Sequence, residues 1–499
     1  MLLQRKSWVV VLATLMTVVL FAQPALAAPN LVVSIGGNTV NTNDAKLVSS
    51  KTVTLSVYDS NGEAQSVNIT VNSKKVAAKS VTGQVYNWQA NLSLNTGVNN
   101  VTVSANGLNN STYTVNFQIM YVTTPVPGLT YDVSSLPASG KIEAFNRTVT
   151  LTYPRGDVLV DGSGQITNSS VAFTVYDPPT TRPDNYHFLA SQVIQISVPQ
   201  AVYLLQPGQL TLSYDPNISA ALADQLAIWY SPDNVWNDND NYILGGRTDA
   251  RNHTVTAPFQ FNGTTEGYYA VFLADRVFKD FTSQSDAAWA YSSVMPMWAK
   301  GLVEPLPIDR TDNNFGAGNN INRLEFTTII IKGLGLPLIE KTSSVFSDVY
   351  ATPEGNSSSY FGSNYSSASG FKIYDQSHTP VQYAETAARY GIIAGYPEGT
   401  FKPANSLTRQ EAAVILARAA NLKLLSDGDK AKTDLERIFT DASAIQPWAA
   451  PSILAAYRAR LIAGLPDGDK KIKFAPNDPL TRAQAITMVY RLLEKQKKI

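Results

Sequence analysis

Three stretches near the end of this 499-residue chain share one frame, and no other feature limits its possible folds as much. They are Phe315…Ile321-Asn322-Arg323-Leu324-Glu325, Phe401…Leu407-Thr408-Arg409-Gln410-Glu411 and Phe474…Leu480-Thr481-Arg482-Ala483-Gln484. The step from phenylalanine to arginine is eight residues each time. Apolar residues at helical spacing follow each arginine: Phe326, Ile329, Ile330 and Leu334, then Ala412, Ile415, Leu416 and Ala419, then Ile486, Val489, Tyr490 and Leu493. Further helical patterns precede the loops, over Trp289–Lys300, Val381–Tyr390 and Trp448–Arg460. Each unit reads as helix, loop, helix and is too small to bury a core alone. The three are therefore expected to close on one another as an all-α, pseudo-threefold trio.

These residues resemble S-layer homology (SLH) repeats, a family that tethers bacterial surface proteins to cell-wall polysaccharide. The middle unit carries the resemblance best, with Gly391-Ile-Ile-Ala-Gly-Tyr-Pro-Glu-Gly-Thr-Phe-Lys-Pro403 followed by Leu407-Thr-Arg-Gln-Glu411. The third follows with Leu461-Ile-Ala-Gly-Leu-Pro-Asp-Gly468 and Leu480-Thr-Arg-Ala-Gln484. The units are expected over 277–342, 343–425 and 435–499, with a Ser/Tyr/Gly-rich loop at 351–369 inserted in the second. Unit one departs most: Glu304-Pro-Leu-Pro307 replaces the glycine turn, and Pro296 falls inside its first helix.

Residues 1–27 read as an export signal. Arg5 and Lys6 precede an apolar run from Trp8 to Phe21, and Ala25-Leu-Ala27 fits a small-x-small cleavage site. No later stretch is long and apolar enough to span a bilayer. The chain carries 39 basic and 39 acidic residues; without the signal it has 37 basic and a charge near −2. That balance argues against a nucleic-acid partner, which needs a basic face. There is no cysteine, so neither disulfides nor thiolate chemistry enters.

Ahead of the repeats the pattern is β. Segments such as Thr52–Val57, Val67–Val71 and Tyr113–Phe117 alternate or are β-branched, with Asn/Gly/Ser clusters between them. They predict an immunoglobulin-like sandwich over 28–123. The stiff Thr124-Pro-Val-Pro127 follows, and then a second β-sandwich over 124–276. The expected fold is thus multidomain: two all-β sandwiches, then the helical trio. Few contacts are expected across the junction near Asp275, so a chain ending there should fold.

Thr408 with Glu411, and Thr481 with Gln484, have capping-box spacing, and Asn322 with Glu325 is a variant. Capping accounts for these but not for an arginine at the first helical position three times, where a cation opposes the macrodipole. An arginine there suits an anion held jointly by a helix N-terminus and a bidentate guanidinium. In the resembling family the ligand is a wall polysaccharide bearing a pyruvate ketal, which is a carboxylate. The resemblance therefore implies Arg323, Arg409 and Arg482 as ligand contacts, with Trp289 and Trp448 as indoles that stack on sugar. Arg→Ala is expected to cost binding and leave the fold intact. Thr379 stands at the matching tryptophan place in unit two. Phe278-Lys-Asp280, Phe346-Ser-Asp348 and Phe439-Thr-Asp441 read as leads that cap helices, with a secondary chance of meeting sugar.

No catalytic motif, metal set or cofactor is predicted. His187, His253 and His378 lack partners at metal spacing. Asp233-Asn234…Asn237-Asp-Asn-Asp240 reads as an Asx-rich turn rather than a calcium loop. The expected protein is a non-enzymatic, secreted component of the bacterial cell wall or surface layer. It would bind wall polysaccharide and possess a lattice-forming or adhesive β region. The alternatives are a wall-anchored polysaccharide hydrolase and a wall-anchored receptor using an aromatic platform that includes Trp229 or Trp236.

Overall fold

A computed structural model describes residues 28–499 except 41, 44, 108–110, 238–239, 262, 283, 306–312, 341–342 and 350–379. The expected export signal, the 351–369 loop, Thr379 and His378 lie outside the described residues. The chain divides into two compact units, up to Thr123 and from Thr124.

The first unit is two five-stranded sheets. One runs Asn38–Thr39, Leu31–Ile35, Thr52–Asp59, Asn87–Ser93, Lys79–Ser80; the other runs Lys46–Val48, Thr112–Tyr121, Gly97–Gly107, Ala64–Val71, Lys74–Val76. The period-2 alternation legible in the sequence is the alternation of burial: Val53, Leu55 and Val57 point inward, Thr52 and Thr54 outward. The inward residues of both sheets, including Leu55, Leu92, Val103 and Ile119, form one shared core. Lysines 46, 74, 75 and 79 sit on the edge strands, where they discourage further strand pairing.

In the second unit a seven-stranded sheet runs Thr130–Val133, Val171–Tyr176, Val193–Ser197, Glu266–Ala274, Leu226–Ser231, Tyr242–Gly245. His187–Leu189 also pairs with Glu266–Ala274. This unit also holds a five-stranded sheet, a small three-stranded one and the two-stranded pair Leu465–Pro466 with Ile472–Lys473. Among the described residues the α-helices are α1 (Tyr291–Ala299), α2 (Arg323–Leu334), α3 (Pro380–Arg389), α4 (Arg409–Ala419), α5 (Gly428–Glu436), α6 (Ala450–Arg458) and α7 (Arg482–Lys495). One 3₁₀ turn, Ala223–Gln225, leads into the strand Leu226–Ser231.

The sparse junction expected near Asp275 is not what forms. Every residue of Leu226–Ser231 is buried, as in a strand covered on both faces, and α1 packs against this strand. The Lys300 ammonium, 5% exposed, donates to the Leu226 carbonyl at 2.8 Å. His187 lies between Trp229 and Trp298, ring centroids 4.8 and 5.4 Å away. The Arg276 guanidinium stacks on Tyr186 and Phe278. Large aromatic side chains on both sides of the boundary bury each other, which the local sequence pattern could not show.

Candidate functional site

The loops that start α2, α4 and α7 meet. Leu407 N–H donates to the Ile321 carbonyl, Leu480 N–H to Leu407, and Ile321 N–H to Leu480, at 3.1, 2.9 and 3.0 Å. The cycle is closed, and all three leucine and isoleucine side chains are buried. The next amides continue it. Arg323 N–H donates to the Asn405 carbonyl, Arg409 to Asp478, and Arg482 to Asn319. Leu324, Gln410 and Ala483 donate to Pro403, Pro476 and Ala317. The third amide of each helix goes to its own cap: Asn322 Oδ1 accepts from Glu325, Thr408 Oγ1 from Glu411, and Thr481 Oγ1 from Gln484.

This corrects one expectation. The first three N–H groups of each helix are already bonded, so the helix N-termini offer no free amides to an anion. What remains is the guanidinium of each arginine.

None of the three arginines is solvated. Arg323 is 6%, Arg409 4% and Arg482 1% exposed. Each reaches into the next unit around the cycle: Arg323 Nη2 donates to the Ala394 carbonyl, Arg409 Nη2 to Ala463, and Arg482 Nη2 to Glu304. Their guanidinium carbons lie over aromatic rings of that next unit, Phe401, Phe474 and Phe315, at 5.4, 5.4 and 4.8 Å. The arginines therefore hold unit to unit, and the expectation that Arg→Ala would spare the fold does not stand.

The three differ in charge balance. Arg482 Nε donates to Glu325 Oε1 at 2.8 Å, and Nη1 also reaches the Phe315 carbonyl. Arg323 Nε and Arg409 Nε are buried without a hydrogen-bond partner. Near Arg323 stands Glu411, whose oxygens accept from Thr408 and from the Tyr396 hydroxyl. Burial pushes the Glu411 carboxyl up, but those bonds and the Arg323 charge outweigh it and hold it below its ordinary value. Burial lowers Arg323 as well, against attraction from Tyr396 and Glu411. Arg409 falls to about 10, through burial and then repulsion from Arg491.

The aspartates do not cap helices. Asp280 accepts from the amides of Phe315 and Gly316, Asp348 from Phe401 and Lys402, and Asp441 from Phe474 and Ala475, one oxygen to each. Each ties the start of its unit to the loop before the arginine helix. The turns in that loop need Gly399 and Gly468, both at φ 78°, where a side chain is strained.

Trp289 and Trp448 are 57% and 56% exposed, too open to plug a core. Trp448 is tied to the Arg409 helix: Gln410 Oε1 accepts from the Gln446 amide, two residues away, at 3.2 Å, while Gln410 Nε2 donates to Asn477. Sequence reasoning missed Gln410; only its place beside Arg409 marked it. Trp229 and Trp236 are buried and so form no exposed platform. Asp233 and Asn234 serve a turn, accepting from Val235 N–H and the Trp236 indole.

The S-layer homology domain family matches residues 375–413 and 438–486. The chain carries S-layer homology domains. Such domains anchor proteins at the cell surface, and this SLH protein is secreted and attached to the bacterial cell wall. It is similar to an amylopullulanase of Thermoanaerobacterium thermosulfurigenes, 28% identical over 72% of this chain and 16% of that protein. It is 36% identical to a cellulosome-anchoring protein of Acetivibrio thermocellus over 26% of this chain and 27% of that one. A surface-layer 125 kDa protein of Lysinibacillus sphaericus is 34% identical over 21% of this chain and 8% of its own length. The chain thus spans under a third of the length of each of these relatives. The first match covers 369 residues, more than the repeats alone contain, so it reaches into the β region.

Proposed function

We propose that this SLH protein is a non-enzymatic wall component held by a polysaccharide that carries carboxylate, such as a pyruvate ketal. Three SLH units would form a pseudo-threefold trio whose clefts take the glycan. The reading is carried by one observation: an arginine starts the second helix of each unit and reaches into the next unit, with exposed Trp289 and Trp448 on two of those units. A guanidinium recognises a carboxylate, and an indole stacks on the C–H face of a sugar. The β region is an outer structural or adhesive part, able to contribute to a lattice of copies.

A wall-anchored hydrolase is the second reading, and the relatives include an amylopullulanase. Three of the acidic side chains at 140–275 hold turns, which favours the non-enzymatic one. Asp161 accepts from Ser163 and Gln165, Asp184 from Tyr186 and His187, and Asp249 from Arg251 and Asn252. The test is sedimentation of the protein with isolated wall, before and after chemical removal of the polysaccharide. Loss of co-sedimentation on removal is expected; retention on the stripped wall would overturn the reading.

A further inference from the structure

The strands that end the sheets are not alike. Lys46, Lys74, Asp132, Lys141 and Arg247 put charge on Lys46–Val48, Lys74–Val76, Thr130–Val133, Lys141–Ala144 and Arg247–Asp249, each the end strand of its sheet. Charge on an end strand discourages pairing with another chain. The strand Tyr242–Gly245 also ends a sheet, and its sequence, Tyr-Ile-Leu-Gly, holds no charge. It pairs with Leu226–Ser231, and no strand among the described residues pairs with its other side.

A cavity of about 220 Å³ adjoins this strand, lined by Tyr242 and Leu244 together with Pro207, Pro258, Phe259 and Tyr269. Gln260 lines it too, but its amide is spent on Leu204 and Phe261. The ladder to Leu226–Ser231 skips Leu244, a bulge that lets its side chain join that of Tyr242 in the lining. Tyr242 packs on Tyr230, ring centroids 4.6 Å apart, so this wall of the cavity is preformed. Opposite charges flank the strand: exposed Asp240 precedes it and exposed Arg247 follows it.

We infer that the strand Tyr242–Gly245 and its cavity form a self-association surface, on which a second copy of this chain docks antiparallel about a two-fold axis. Such an axis sets the same patch against itself, so the patch must be self-complementary. This one is: the uncharged strand meets its copy without repulsion, and the antiparallel run brings Asp240 of each copy towards Arg247 of the other. With Ile243 on the axis, Tyr242 of one copy comes opposite Leu244 of the other, beside the two cavities. The contact is small, so it is weak between free molecules. It gains from the high effective concentration of copies held on one wall. The inference names one contact of the lattice of copies proposed above and rests on that part of the reading, not on the glycan chemistry.

The test is sedimentation equilibrium of the full chain at low salt over a dilution series, with hydrogen exchange at both ends of the series. The unmodified chain should show monomer and dimer, and amide protection at residues 242–245 should rise with concentration. Arg247→Glu and Asp240→Arg each set like charges together across the axis and should each weaken the dimer by about tenfold. Both residues are exposed, so the melting temperature should hold. An equimolar mixture of the two variants restores both opposite-charge pairs and should associate as tightly as the unmodified chain. A monomer at every concentration, a dimer indifferent to either variant, or a mixture no tighter than its components would overturn the inference. Co-sedimentation of either variant with isolated wall tests the anchoring reading separately, since neither residue lies in the helical repeats.

Discussion

Arg482 and Glu325 are 157 residues apart in the chain and 2.8 Å apart in the fold. The pair joins the start of α7 to α2 and so closes the cycle that the backbone triangle begins. Glu325→Gln leaves a buried guanidinium without its counter-charge while the Asn322 cap persists. A loss of roughly 3 kcal/mol in unfolding free energy is expected by chemical denaturation. An unchanged midpoint would show that the pair contributes nothing to closure.

Asp441 gives the third unit its internal tie. Asp441→Ala removes acceptors for two amides at 2.7 Å and should cost about 2–4 kcal/mol. Asp441→Asn keeps one acceptor and should cost clearly less. Equal losses in the two variants would mean that shape, not hydrogen bonding, is what matters there.

The caps are a smaller matter. Thr408→Ala removes a side-chain oxygen that accepts from the Glu411 amide and should cost about 1 kcal/mol. Thermal melts of Thr408→Ala and Thr481→Ala should shift alike, since both boxes are complete.

Lys300 sets a pH dependence. Burial brings it down to about 8 from an ordinary 10.5, with Asp224 opposing. Between those values the unfolded chain holds the proton and the folded chain has released it. Stability therefore rises with pH from about 8 towards 10, by up to roughly 3 kcal/mol for the whole shift. Above 10 the buried tyrosines act in the other direction, for Tyr153 is pushed up to about 12 by burial and Asp157. Lys300→Met should flatten the rise between pH 8 and 10 in denaturation series. The same slope in both proteins would assign it elsewhere.

Truncation should separate the two compact units but not the second β region from the helices. A fragment of residues 28–123 keeps its own core and should melt cooperatively. A fragment ending at Asp275 loses Trp298 from His187 and Lys300 from Leu226 and exposes the buried strand Leu226–Ser231. Its 124–275 part should show exposed apolar surface by dye binding. A native-like melt of that part would show the helical cover to be dispensable.

The sequence determined by itself whatever depends on spacing along the chain. The eight-residue step from phenylalanine to arginine, the Thr-x-x-Glu caps and the alternation of Thr52–Val57 each report a local geometry, and each lies where that period put it. Only the tertiary structure decided how those pieces spend their polar groups. Arg323, Arg409 and Arg482 look equivalent in sequence. They differ because Glu325 pairs with Arg482 and Glu411 attracts Arg323 from another unit, while Arg409 Nε is left without a hydrogen-bond partner, across distances no periodicity encodes. The helix N-termini read as open anion sites because an amide's partner is invisible until Asn405, Asp478 and Asn319 present their carbonyls. Asp441 read as a cap and proved a tie, and the junction at Asp275 read as thin and proved packed, for one physical reason: burial and hydrogen bonding are settled by what comes near in space.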